Sequence, residues 1–137
     1  MTQRESSLEL KRYAINAIGK LGRKDGFEPI VDAIKDKRPL IRLSASKAIG
    51  RLNFENGAFI LADALLKENN QFVKQEILNL IDNCSNGSAI EAFIKVIENS
   101  ENGEIRDKAL HMLENKTGQK FNYDVAKWKI WHDSQKK

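Results

Sequence analysis

Few side chains in this sequence could act on a substrate or hold a metal: two histidines, His111 and His132, and one cysteine, Cys84. The histidines stand in separate segments, not four residues apart, and no CxxC pair occurs, so the ligand spacing of a zinc site is absent. Neither a Walker-type nor a Rossmann-type glycine pattern is present. Single carboxylates such as Asp82 and Glu114 are scattered along helical stretches, and carboxylates so placed are solvated rather than matched as acid and base. Catalysis needs convergent polar groups with distinct roles. The reading is therefore a non-catalytic protein with no cofactor and no metal. A lone cysteine allows no internal disulfide, which suits a reducing compartment, and Cys84 reads as a small core residue.

Positive charge, by contrast, recurs. Lys11, Arg42, Lys74 and Arg106 occupy the same place in four related stretches. A cation in the first turn of a helix opposes the helix dipole, so its recurrence needs another cause, and pairing with an acidic group of a neighbouring repeat supplies one. A second set, Arg12 and Lys20 and then Lys47 and Arg51, lies on the polar face of the first two stretches. Residues 11–51 hold eleven Lys or Arg against four Asp or Glu, a net of +7, whereas residues 69–137 hold ten of each. The chain as a whole carries +4. Charge is thus sorted along the sequence, and the mild excess permits a nucleic-acid partner without requiring one.

The elements that must position these groups follow from the stretches themselves. LKRYAINAIGKLG begins at Leu10, IRLSASKAIGRLN at Ile41, VKQEILNLIDNCS at Val73 and IRDKALHMLENKT at Ile105, so the starts are 31, 32 and 32 residues apart. Apolar residues fall at steps of four, three and one, as in Leu10, Ala14, Ala17, Ile18 and in Ile41, Ala45, Ala48, Ile49. Such steps keep side chains on one stripe of a 3.6-residue helix, so each copy is an amphipathic helix. Ahead of the later copies run shorter apolar patterns: Phe27, Ile30, Val31, Ile34; then Leu61, Ala62, Leu65; then Ile90, Phe93, Ile94, Ile97. Capping-box spacings at Ser6/Glu9, Asp25/Glu28 and Ser88/Glu91 predict helix starts. Pro29 and Pro39 fit first turns, and Gly22 and Gly118 fit helix ends. Gly19 and Gly50, inside helices, imply close helix packing.

The two-helix unit and its period resemble the HEAT repeat, in particular the short HEAT-like form of bacterial and phycobilin-lyase-type proteins. Its second helix reads approximately V-R-x-x-A-x-x-A-L-G-x-L, and Ile41 to Leu52 is similar almost position for position; the resemblance covers residues 10–117. It implies an all-α fold, an α-solenoid of stacked antiparallel helix pairs forming a HEAT-like superhelix of about seven to eight helices. On this reading 1–137 is a single domain: a half repeat at 5–22, full repeats at 25–53, 56–85 and 87–117, and a C-terminal capping segment at 118–137. Asp124 can cap a tail helix on which Val125, Trp128 and Trp131 or His132 share a face, and the tail TGQKFNYDVAKWKIW is similar to a closing segment of bacterial HEAT-like proteins, in which Phe121, Trp128 and Trp131 would cover the end of the fourth-copy helix.

In that family the second helix of each pair lines the concave side, where partners bind. The rows projected there are Arg12, Asn16, Lys20; Leu43, Lys47, Arg51; Gln75, Asn79, Asn83; and Asp107, His111, Asn115. The resemblance favours a protein-binding scaffold or adaptor whose partner is another protein with an acidic surface, met by Arg12, Lys20, Lys47 and Arg51. A nucleic-acid-binding solenoid is the alternative, although no aromatic in the basic rows could stack on a base. Membership of a lyase-type or other enzyme assembly is third. No apolar stretch reaches membrane-spanning length and the N-terminus is too polar for a secretory signal, so the expected setting is cytoplasmic.

Overall fold

The computed structural model describes residues 11, 12, 14, 15, 27–52 and 56–136, and every regular element among them is helical. Residues 11, 12, 14 and 15 belong to helix, and seven further helices follow: α1 (Phe27–Ala33), α2 (Pro39–Leu52), α3 (Gly57–Lys67), α4 (Gln71–Asp82), α5 (Asn86–Asn99), α6 (Gly103–Thr117) and α7 (Val125–Gln135). The capping boxes at Ser6/Glu9 and Asp25/Glu28, together with Gly19 and Gly22, lie outside the residues whose side chains the structure describes.

Local chemistry explains the boundaries. Asn70, Asn102 and Asp124 each sit just ahead of a helix, and their side-chain oxygens accept from the backbone N–H of Val73, Ile105 and Lys127 at 3.0, 3.1 and 3.1 Å. Each cap satisfies a donor that has no partner inside its helix. At the far end of α6, Gly118 takes the left-handed conformation (φ 74°) and donates to the Glu114 carbonyl at 2.7 Å, a conformation that carries no steric cost for glycine.

One predicted start is displaced. Ser88 and Glu91 were the expected capping box, yet α5 begins at Asn86, so both residues lie within the helix. Ala89 and Ile90 are already buried, and the Ala89 N–H bonds the Ser85 carbonyl at 2.8 Å. The first turn is thus drawn into the core, and residues 83–85 suffice as the link.

The helices stack in two rows. Within pairs, α1 packs on α2, α3 on α4 and α5 on α6; along the rows, α2 packs on α4 and α4 on α6, while α3 packs on α5 and α5 on α7. The stripes read from the sequence form the core: Ile41, Ala45, Ala48 and Ile49, then Val73, Ile77 and Ile81, then Ile105, Ala109 and Leu113 are all buried. The buried arc is wider than the stripe, because Ser46, Leu78 and Leu110, one position further on, are buried as well. A helix with a pair partner and row neighbours covers more than the roughly 100° face of a simple amphipathic helix. In the first copy Ala14, expected on the stripe, is exposed and Ile15 is buried instead.

Gly50 sits where α2 and α4 approach closely: a Cβ placed there would lie 3.2 Å from Cδ2 of Leu80. The absence of a side chain lets the two helices meet, as the glycine inside a helical stretch implied.

The tail departs from the expected arrangement. It was expected to cover the end of α6, but α7 packs on α5, in line with α3 and α5. Trp128 is fully buried, its ring meets Phe121 edge-on with centroids 4.9 Å apart, and its Nε1 donates to the Asn122 carbonyl at 2.7 Å. The turn before α7 reaches α6, where the Tyr123 hydroxyl bonds Asp107 and the Arg106 guanidinium lies 4.6 Å over the Tyr123 ring. The helix that α7 covers is thus α5. Around it, Lys129 pairs with Glu98 at 3.0 Å, and His132 Nε2 and Lys136 Nζ lie 3.1 and 3.0 Å from Glu91.

Candidate functional site

In three of the four copies the recurrent cation holds a neighbouring segment. Lys11 Nζ lies 2.6 Å from the Asp36 carboxylate. Arg42 grips Glu68 through Nε and Nη2, both at 2.8 Å, and its Nη1 donates to the carbonyls of Asp36 and Lys37 at 2.9 Å each. Each pair ties a second-row helix to the link of the following repeat. Asp36 and Glu68 are 32 residues apart, the repeat period itself, and that spacing was the signal by which they could have been found from sequence. Ser100 occupies the next place in the series. The cation that would face it, Lys74, has no side-chain partner among the described residues, and Arg106 turns to the Ile97 carbonyl at 3.1 Å.

Electrostatics follow from these contacts. Hydrogen bonds from Arg38 hold the Asp36 carboxyl far below the ordinary aspartate range against the opposing effect of burial, with Lys11 adding to the pull. For Glu68, burial pushes upward, but hydrogen bonds from Arg42 and from the Asn70 and Asn69 N–H groups, with the Arg42 charge, bring the carboxyl below its usual value. Arg42 is raised in turn, chiefly by its bond to Glu68. These groups are occupied in holding the stack together and have little left for a ligand.

The second set of cations is placed differently. Lys47 is half-buried and Arg51 exposed, one turn apart on α2, and neither has an acidic partner among the described residues. With Gly50, Leu80 and Asn83 they line a groove of about 320 Å³ between α2 and α4. Like charges four residues apart on a helix repel by a few tenths of a kcal/mol, so the arrangement carries a small cost that an anion in the groove would relieve. Arg12 is half-buried in the first helix, and Lys20 lies outside the described residues.

Of the remaining projected positions, Asn79, Asn83, Asp107, His111 and Asn115 are exposed and Gln75 is half-buried. Leu43, expected in the polar row, is buried. The widened arc of α2 takes it into the core and leaves Lys47 and Arg51 as the row's solvent-facing members. Cys84 is half-buried against the core; its Sγ donates to the Leu80 carbonyl at 3.4 Å, and burial raises the thiol above its ordinary range. Among the described residues, no three His, Cys, Asp or Glu side chains gather so as to hold a metal ion. No helix among them is long and apolar enough to cross a membrane.

A family model for HEAT repeats matches residues 1–82 of the chain. No curated protein matches it.

Proposed function

The chain belongs to the HEAT-repeat family, whose repeats generally mediate protein interactions, and from that premise we propose that it is a non-catalytic scaffold binding an acidic segment of another protein along its second-helix row. The observation that carries this reading is the pair Lys47 and Arg51: adjacent cations, without acidic partners among the described residues, above the groove between α2 and α4. Lys11, Arg38 and Arg42 are, by contrast, engaged with Asp36 and Glu68. The exposed carboxamides of Asn79 and Asn83 continue the surface onto α4 with groups that can both donate and accept. On the same reading 5–22 is a half repeat, 25–53, 56–85 and 87–117 are full repeats, and 118–137 closes the array through Phe121, Trp128 and Trp131.

Capture of partners on the full chain, with a Lys47→Glu/Arg51→Glu variant as control, tests the proposal. A protein partner retained by the native chain and lost from the variant supports it. Retention by both, or recovery of nucleic acid with an affinity that falls steeply with salt, overturns it.

A further inference from the structure

The pairs that tie one repeat to the next stop partway along the array. In the links after α1, α3 and α5 one local bond recurs, in which a side-chain oxygen accepts the backbone N–H two positions on. Asp36 accepts from Arg38 at 2.9 Å, Glu68 from Asn70 at 3.0 Å and Ser100 from Asn102 at 3.2 Å. The serine hydroxyl thus stands where the other two links hold a carboxylate. Lys11 and Arg42 each bond the carboxylate of their layer. Lys74, half-buried and in the same place on α4, has no hydrogen bond or ion pair among the described residues.

Packing changes at the same layer. α2 and α4 are joined at both ends, by Arg42 with Glu68 in the link that opens α4 and by the approach of Leu80 to Gly50. α4 and α6 touch far less. At their C-terminal ends Lys116 Nζ donates to the Asp82 carbonyl at 2.9 Å and lies 3.5 Å from its carboxylate. At their N-terminal ends stands a cavity of about 410 Å³, with Lys74, Ser100 and Ile105 on its lining beside Leu65 and Leu66. Arg106 bonds the Ile97 carbonyl at 3.1 Å, so at this end α6 is held to α5. Stability of a repeat array is close to a sum of nearest-neighbour terms, and an interface with sparse packing and no bridging pair is where it parts at least cost.

We propose that the second-helix row is jointed between α4 and α6. The two helices open and close at their N-terminal ends about the contact of Lys116 with Asp82, while α3 and α5 stay packed. Such a movement of packed helices about a fixed contact belongs to hinge and shear closure. It changes the distance between the exposed Asn79 of α4 and the exposed His111 of α6, and with it the span of the surface these helices present. The joint stands whether or not Lys47 and Arg51 bind an acidic segment.

Double electron–electron resonance on the full chain, in a Cys84→Ser background, tests the joint with three pairs of spin labels. Phe72→Cys with Glu104→Cys spans the N-terminal ends of α4 and α6, and Asn83→Cys with Asn115→Cys their C-terminal ends. Leu40→Cys with Phe72→Cys spans the N-terminal ends of α2 and α4. All five labelled positions are exposed, and circular dichroism checks that each variant keeps its helix content. The first pair is expected to give a broad or two-peaked distance distribution and the other two narrow ones. Ser100→Glu, which restores a carboxylate opposite Lys74, should narrow the first distribution to the width of the α2 and α4 pair. Adding Lys74→Ala should abolish that narrowing. A first distribution as narrow as the other two, a C-terminal pair as broad as the first, no narrowing with Ser100→Glu, or narrowing that survives Lys74→Ala each overturns the proposal.

Discussion

Arg42 and Glu68, 26 positions apart in sequence, meet through two hydrogen bonds of 2.8 Å, and the Glu68 side chain is only 3% exposed. One guanidinium thereby joins α2 to the link that follows α3, while its third nitrogen holds the link that follows α1. Arg42→Ala strands a buried carboxylate, and removing one partner of such a pair costs on the order of 3–5 kcal/mol. Arg42→Lys should recover only part of the loss, because a single ammonium cannot reproduce the fork. Urea denaturation of the three proteins checks both statements.

The same carboxylates set the response to acid. Glu68 and Asp36 have folded-state values below their ordinary 4.5 and 3.8, so the unfolded chain takes up protons first as pH falls. Their contribution to stability is complete above about pH 5 and is lost progressively as pH drops through the lower folded-state values. Urea midpoints measured from pH 7 to pH 3 should fall below about pH 5. A Glu68→Gln variant, starting from lower stability at neutral pH, should show a shallower decline.

The two faces of α2 should respond differently to truncation. Ile49 is 1% exposed, and Ile49→Ala should cost on the order of 2–5 kcal/mol through lost transfer energy and the cavity left behind. Lys47→Ala, on the groove side, should stay within about 0.5 kcal/mol of the native chain. Equal losses would mean that the faces are misassigned.

Removing residues 119–137 should bare the flank of α5 that Trp128 covers and promote association, visible as a larger particle in light scattering. Trp128→Ala should destabilise by about 3–5 kcal/mol. A truncated chain that stays monomeric and equally stable would contradict the capping role of the tail.

Much of this architecture could be read from the repeat. Ile41, Ala45, Ala48 and Ile49 occur at helical steps, and of their counterparts 32 and 64 residues on, Val73, Ile77, Ile81, Ile105, Ala109 and Leu113 are buried while Leu80 and Met112 are half-buried. Asp124 capped the helix it was expected to cap. What escaped was set by neighbours that a single helix pattern does not encode. Leu43 is buried because α2 has contacts on several sides, and Ser88 lies inside α5 because Ala89 is drawn into the core. The tail helix packs on α5 rather than covering α6, a choice set by the stack and not by the tail's own pattern.

Cys84 offers a practical handle. Its thiol is the single one in the chain, bonded to the carbonyl of Leu80, the residue whose side chain abuts Gly50. Partial burial and a raised thiol value make it a slow target for alkylating reagents while the layers stay closed. Its labelling rate, readable by mass spectrometry on the unmodified sequence, therefore reports how often the end of α4 opens to solvent.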